Sequence, residues 1–160
     1  MTHHGRYETR KWVEMHHYAR MLGSGVLETA VGPCIAVSVR DPRKRVIFLG
    51  HFLYPTIVGT RSFGPFRAML HAVSGDLSDP IRAKAAVLGA SPELNPNPEL
   101  VELGRAGVVN ALVDLGVPLT QIKQTYLERP GTLIYGIHAS TGAEDVEIKY
   151  DDNLYSLPAV

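Results

Sequence analysis

The sequence predicts an α+β protein, a layered sandwich of largely antiparallel β-sheet with packed helices. Two observations carry this. Consecutive apolar runs joined by tight turns, from Val26 to His51, read as strands in hairpin succession. Two segments with helical start and stop signals, Pro65 to Val73 and Pro98 to Leu115, supply helices to cover a sheet face. A chain of 160 residues without internal repeats suits one domain, residues 1–160, with enough length for a real core.

The elements follow in order. Lys11 to Met21 carries helical periodicity through Trp12, Met15, Tyr18 and Ala19, so segment 1–22 reads as a helix or a variable N-terminal arm. Val26 to Val31 reads as a strand, and the next two strands flank Asp41-Pro42-Arg43-Lys44. Pro65 to Val73 is a short helix stopped by Ser74-Gly75, and Arg82 to Leu88 a strand. The proline-punctuated run from Ser91 to Pro98 is a loop. Pro98 opens the second helix and Gly116 caps it. Leu119 to Tyr126, Thr132 to His138 and Val146 to Tyr150 complete the predicted strands.

Composition narrows the function classes. Hydrophobic residues make up 45% and charged residues 20%, as in ordinary globular domains. Lys plus Arg and Asp plus Glu number 16 each, so no basic bias points to nucleic acid. No apolar run reaches spanning length, which argues against membrane insertion, and Met1 to Arg6 carries no apolar signal core. A single cysteine excludes an internal disulfide and suits a reducing compartment. A cytoplasmic location is the expectation.

That cysteine sits in the most informative stretch, Val31 to His51. If Asp41 to Lys44 form the turn, residues paired across the hairpin have numbers summing to 85, and Cys34 meets His51 directly. Their Cβ atoms would then be roughly 5 Å apart on one face. Ile35, Val37, Val39, Val46 and Phe48 share the opposite, apolar face. A two- or four-residue loop keeps this parity, and a one-residue bulge would flip His51. A thiol beside an imidazole is the minimum equipment of a cysteine nucleophile. Taken alone, a strand cysteine is a small buried hydrophobe and a lone histidine a core residue; the pair is what suggests chemistry.

The run Gly32-Pro33-Cys34-Ile35-Ala36-Val37, then Arg40-Asp41-Pro42, then Gly50-His51-Phe52-Leu53-Tyr54-Pro55 resembles the signature of the chemoreceptor glutamine deamidases, the CheD family. Order, turn and cysteine-to-histidine interval agree together over Gly25 to Pro55. Ala83-Lys84 with Gly89-Ala90, the segment Gly104 to Leu119, and Thr141-Gly142 with Val146 to Lys149 resemble later parts of the family more loosely. Pro33 replaces the usual serine, Leu88 a usual glycine, and Glu128 to Gly131 stand where the family has a glycine-rich segment.

The resemblance implies a cysteine hydrolase that converts receptor glutamines to glutamates through a thioester. Cys34 would be the nucleophile and His51 its acid–base partner, with no cofactor and no metal. It also implies a protein substrate with chemoreceptor-like glutamines and a chemotaxis phosphatase-type regulator as partner. The family completes its site with a threonine six positions before the cysteine. Glu28 holds that position here and Thr29 the next; a one-residue shortening before Gly32 assigns the role to Thr29, whereas Glu28 would make a Cys-His-Glu site. Two other classes compete: a silent binding module of the same fold, and a cysteine amidase for small molecules.

Other features have plainer readings. His3, His4, His16 and His17 fit a solvated arm better than a metal centre, since neighbouring histidines point different ways. His71 and His138 read as surface or strand positions. Arg40, Arg43, Lys44 and Arg45 surround a hairpin tip.

Overall fold

A computed structural model describes residues 9–77, 79–89, 97–126, 131–137, 144–150 and 153–157. Two five-stranded sheets face each other, and two helices cover the far side of one of them. The outer sheet runs β1 (Arg10–Trp12), β3 (Gly25–Val31), β8 (Gly131–Ile137), β9 (Glu144–Tyr150) and β10 (Asn153–Leu157). The central sheet runs β2 (His17–Leu22), β5 (Val46–Phe52), β4 (Ile35–Asp41), β6 (Lys84–Gly89) and β7 (Ile122–Thr125). Pairing is antiparallel except for β1 with β3 and β6 with β7. The α+β sandwich expected from the sequence is therefore present.

Strand alternation divides the core in two. Ile35, Val37, Val39, Val46 and Phe48 face α1 (Phe63–Asp76) and α2 (Pro98–Asp114), as the parity of the hairpin requires. From α1 they meet Phe66, Met69 and Val73, spaced to lie on one helical face. Phe66 packs edge-on to Phe52 with ring centroids 5.4 Å apart. Removing such a buried ring costs about 3–5 kcal/mol. The other strand faces enclose a second cluster, in which Ala36, Ile47, Leu49 and Leu88 meet Leu27, Val31, Leu133 and Ile148 of the outer sheet.

The ends of α2 obey their sequence signals, whereas α1 begins ahead of Pro65 and runs through the expected stop at Ser74-Gly75 to Asp76. Asn97 accepts the Leu100 N–H through its side chain, at 3.3 Å, and Pro98 occupies the first turn, where no intrahelical donor is needed. Gly116 has φ +104°, the left-handed conformation that closes a helix.

Segment 1–22 departs from expectation. In its described part, residues from position 9 onward form β1 and β2, paired with β3 and β5, and not a helix or a free arm. The cause is a period-2 pattern hidden under the apparent helical one. Ala19 and Met21 are buried between the sheets, while Arg20 and Leu22 are exposed. His16 and His17 accordingly belong to the fold. β10 was not anticipated. The predicted loop over 91–96, the region of Glu128 to Pro130, His3, His4, His138 and Thr141-Gly142 lie outside the described residues.

Candidate active site between the sheets

The β4–β5 hairpin closes on the pair Asp41↔Val46, leaving a four-residue loop in which Arg45 adopts φ +52°. Asp41 accepts the Arg43 N–H at 3.0 Å, an Asx turn that fixes the bend. Paired residues therefore sum to 87, and His51 stands opposite Ala36. The expected direct pairing of Cys34 with His51 is corrected by two residues. An even shift preserves the face, so Cys34 joins Ala36 and Leu49 in the cluster between the sheets, one residue before β4 begins. Cys34 and His51 are diagonal neighbours, a relation long side chains can span.

The third residue arrives from the opposite sheet. β3 does not lie beside the hairpin but faces it across the sandwich. Thr29 is fully buried, and its Oγ1 lies 2.8 Å from His51 Nδ1. The same hydroxyl donates to the Val13 carbonyl at 2.7 Å. A threonine has one hydroxyl proton, so His51 Nδ1–H must be the donor in the first contact. That leaves the Nε2 lone pair of His51 free to accept a proton. Glu28, its neighbour, points the other way and pairs with Arg10 at the partly exposed back of the sheet.

Burial sets the charge state. Desolvation raises the Cys34 thiol to a pKa of about 11. Desolvation first, and then the nearby His16, lower His51 from 6.5 to about 4. The resting pair at neutral pH is therefore a thiol and a neutral imidazole. An imidazole held neutral supplies no charge to ionise the thiol.

The β1–β2 turn lies over this pair. His16 N–H donates to the His51 carbonyl at 2.7 Å. His16 itself has φ +68°, a strained conformation for a non-glycine residue, and its Nδ1 is 2.6 Å from the Oγ of fully buried Ser62. Ser62 Oγ also accepts the Leu53 N–H at 2.9 Å. His17 pairs with His51 across the strands, and its Nδ1–H donates to the Met15 carbonyl at 3.0 Å. The Cys34 thiol donates to Met15 Sδ at 3.5 Å. Met15, Ser62 and the turn's grip on His51 were missed in the sequence, because Met15 was absorbed into a helical pattern and Ser62 carries no local signal.

On the other flank, Gly89 has φ +86°, and a Cβ built there would come 2.7 Å from the Cys34 carbonyl oxygen. Buried Arg105 of α2 donates to the carbonyls of Gly89 at 2.6 Å and Val87 at 3.1 Å, holding this strand end in place. Among the described residues no group of three or more His, Cys, Asp or Glu side chains could hold a metal ion.

No sequence-family model matches the chain. No curated protein matches it either. Solved structures similar to the chain include the following two. YlmD from Geobacillus stearothermophilus superposes with TM-score 0.52 at 14% identity, covering 71% of this chain and 50% of that one. The Bacillus licheniformis hypothetical protein YfiH gives TM-score 0.47 at 14% identity, covering 65% and 47%. The chain spans about half the length of these structures. At such identity the likeness to YlmD establishes the fold alone.

Proposed function

We propose that this protein is a cysteine-dependent protein-glutamine deamidase of the chemoreceptor-modifying type. One observation carries the reading: Thr29 orients His51 through Nδ1, leaving Nε2 as a base on the face that carries Cys34. The CheD-like run around Cys34 and His51 supplies the substrate class, an internal glutamine of a receptor.

The chemistry starts from neutral partners. The Cys34 proton passes to His51 Nε2 as sulfur bonds to the glutamine Cδ, giving a tetrahedral adduct. Because the imidazole begins neutral, the transfer accompanies attack and no stored thiolate is needed. The imidazolium that forms keeps its Nδ1–H on Thr29 and returns the Nε2 proton to the leaving nitrogen, which departs as ammonia. Water then attacks the thioester, again losing its proton to His51, and glutamate and thiol are released. Backbone N–H groups near Cys34 would receive the oxyanion; Pro33 contributes none. A cytoplasmic location and a chemotaxis phosphatase-type regulator belong to this same reading. No described helix is long and apolar enough to cross a membrane.

Incubation with the cytoplasmic fragment of a chemoreceptor tests it. Ammonia release and conversion of discrete glutamines to glutamates, both absent with Cys34→Ala, are the expected results. Hydrolysis of small amides with no change in the receptor fragment would instead favour the small-molecule amidase. Inertness toward both would favour the binding module.

A further inference from the structure

Met15 combines two properties that rarely coincide. It is 42% exposed, yet its Sδ receives the hydrogen bond of a thiol that is only 6% exposed. Methionine and glutamine have the same unbranched skeleton as far as the δ atom. The δ atom of Met15 lies 3.5 Å from Cys34 Sγ. In a glutamine that atom is the carbonyl carbon, and a near-attack complex needs it about 3–3.5 Å from the nucleophile. The backbone behind Met15 is held in place. His17 N–H donates to the Glu14 carbonyl at 3.1 Å, the His17 ring to the Met15 carbonyl, and the His16 N–H to His51.

We infer that Met15 occupies the subsite of the substrate glutamine side chain, so that the β1–β2 turn is an internal pseudosubstrate which a target must displace. The inference rests on the deamidase reading for the identity of that side chain. The subsite accepts an unbranched side chain reaching Cys34 at its δ atom. Asparagine, one methylene shorter, would stop short of the sulfur. The strain at His16 is released when the turn lifts, which lowers the barrier to displacement. Burial also raises the pKa of the thiol, to about 11.

Two readouts keep this inference separate from the reading beneath it. The first is alkylation of Cys34 by iodoacetamide at neutral pH in the full chain, with folding checked by circular dichroism. Met15→Ala should react at least about tenfold faster than the parent, and Met15→Leu, which keeps the volume, close to the parent. An unchanged rate in Met15→Ala overturns the inference, whatever the protein does to receptors. The second readout is the mass of the peptide containing position 15 in Met15→Gln. Conversion of that glutamine to glutamate, abolished by adding Cys34→Ala, shows that the turn presents its side chain to the nucleophile as a substrate does. Faster alkylation of Met15→Ala with an intact glutamine in Met15→Gln upholds the occupied subsite and counts against the deamidase chemistry.

Discussion

Thr29 Oγ1 lies 2.8 Å from His51 Nδ1, and this contact crosses from one sheet of the sandwich to the other. The imidazole is thereby oriented by a residue outside the hairpin that carries it. The buried hydroxyl also holds the Val13 carbonyl, so one side chain joins the base, the outer sheet and the turn above the thiol.

Thr29→Ala should lower deamidation by at least about tenfold, since it frees the ring to rotate and exchange tautomers. It should also destabilise the protein by about 1–3 kcal/mol, because the Val13 carbonyl and His51 N–H lose their buried partner. Glu28→Ala removes only a partly exposed ion pair and should change stability by less than about 1 kcal/mol. Kinetic assay and urea denaturation of both variants check this. A large activity loss for Glu28→Ala with normal Thr29→Ala would reverse the assignment.

His51 gives the domain a pH dependence of definite sign. Its folded pKa is lowered from 6.5 to about 4, so between these values the unfolded chain binds more protons. Stability is fully present above pH 6.5 and declines as pH falls toward 4, by on the order of 3 kcal/mol. His51→Gln should remove this part of the slope. Denaturation midpoints measured from pH 4 to 7 for both proteins test it; parallel profiles would contradict a buried neutral His51.

Gly89→Ala should damage the site from the flank. The added Cβ would press on the Cys34 carbonyl, and the φ of +86° disfavours any L side chain. Activity should fall with a stability loss of about 1–3 kcal/mol, measured by kinetics and thermal denaturation. Wild-type kinetics in a folded Gly89→Ala would show that the Cys34 backbone position is not critical.

The hairpin was legible because period-2 alternation and the Asp41-Pro42 turn are local signals. Its exact register was not, because the left-handed Arg45 moved the closing pair to Asp41↔Val46, and nothing in Arg45 itself announces that conformation. Face survived the error, since the shift was even. Thr29 was reachable through the family resemblance and a one-residue shortening before Gly32, since strand parity only made Thr29 and Glu28 alternatives; its place in the opposing sheet depends on long-range pairing with β8. β2 was misread because Met15 and Tyr18 imitate a helical stripe where Ala19 and Met21 set the burial. The neutral charge state of the pair follows from burial, which a sequence does not display.

The most direct test is mass spectrometry of a chemoreceptor cytoplasmic fragment after incubation with the wild-type protein and with Cys34→Ala, His51→Ala and Thr29→Ala. The account predicts conversion of particular glutamines to glutamates by wild type, none with Cys34→Ala, and strongly reduced conversion with the other two. Conversion that persists in Cys34→Ala would contradict the assignment of Cys34, His51 and Thr29 as one catalytic unit.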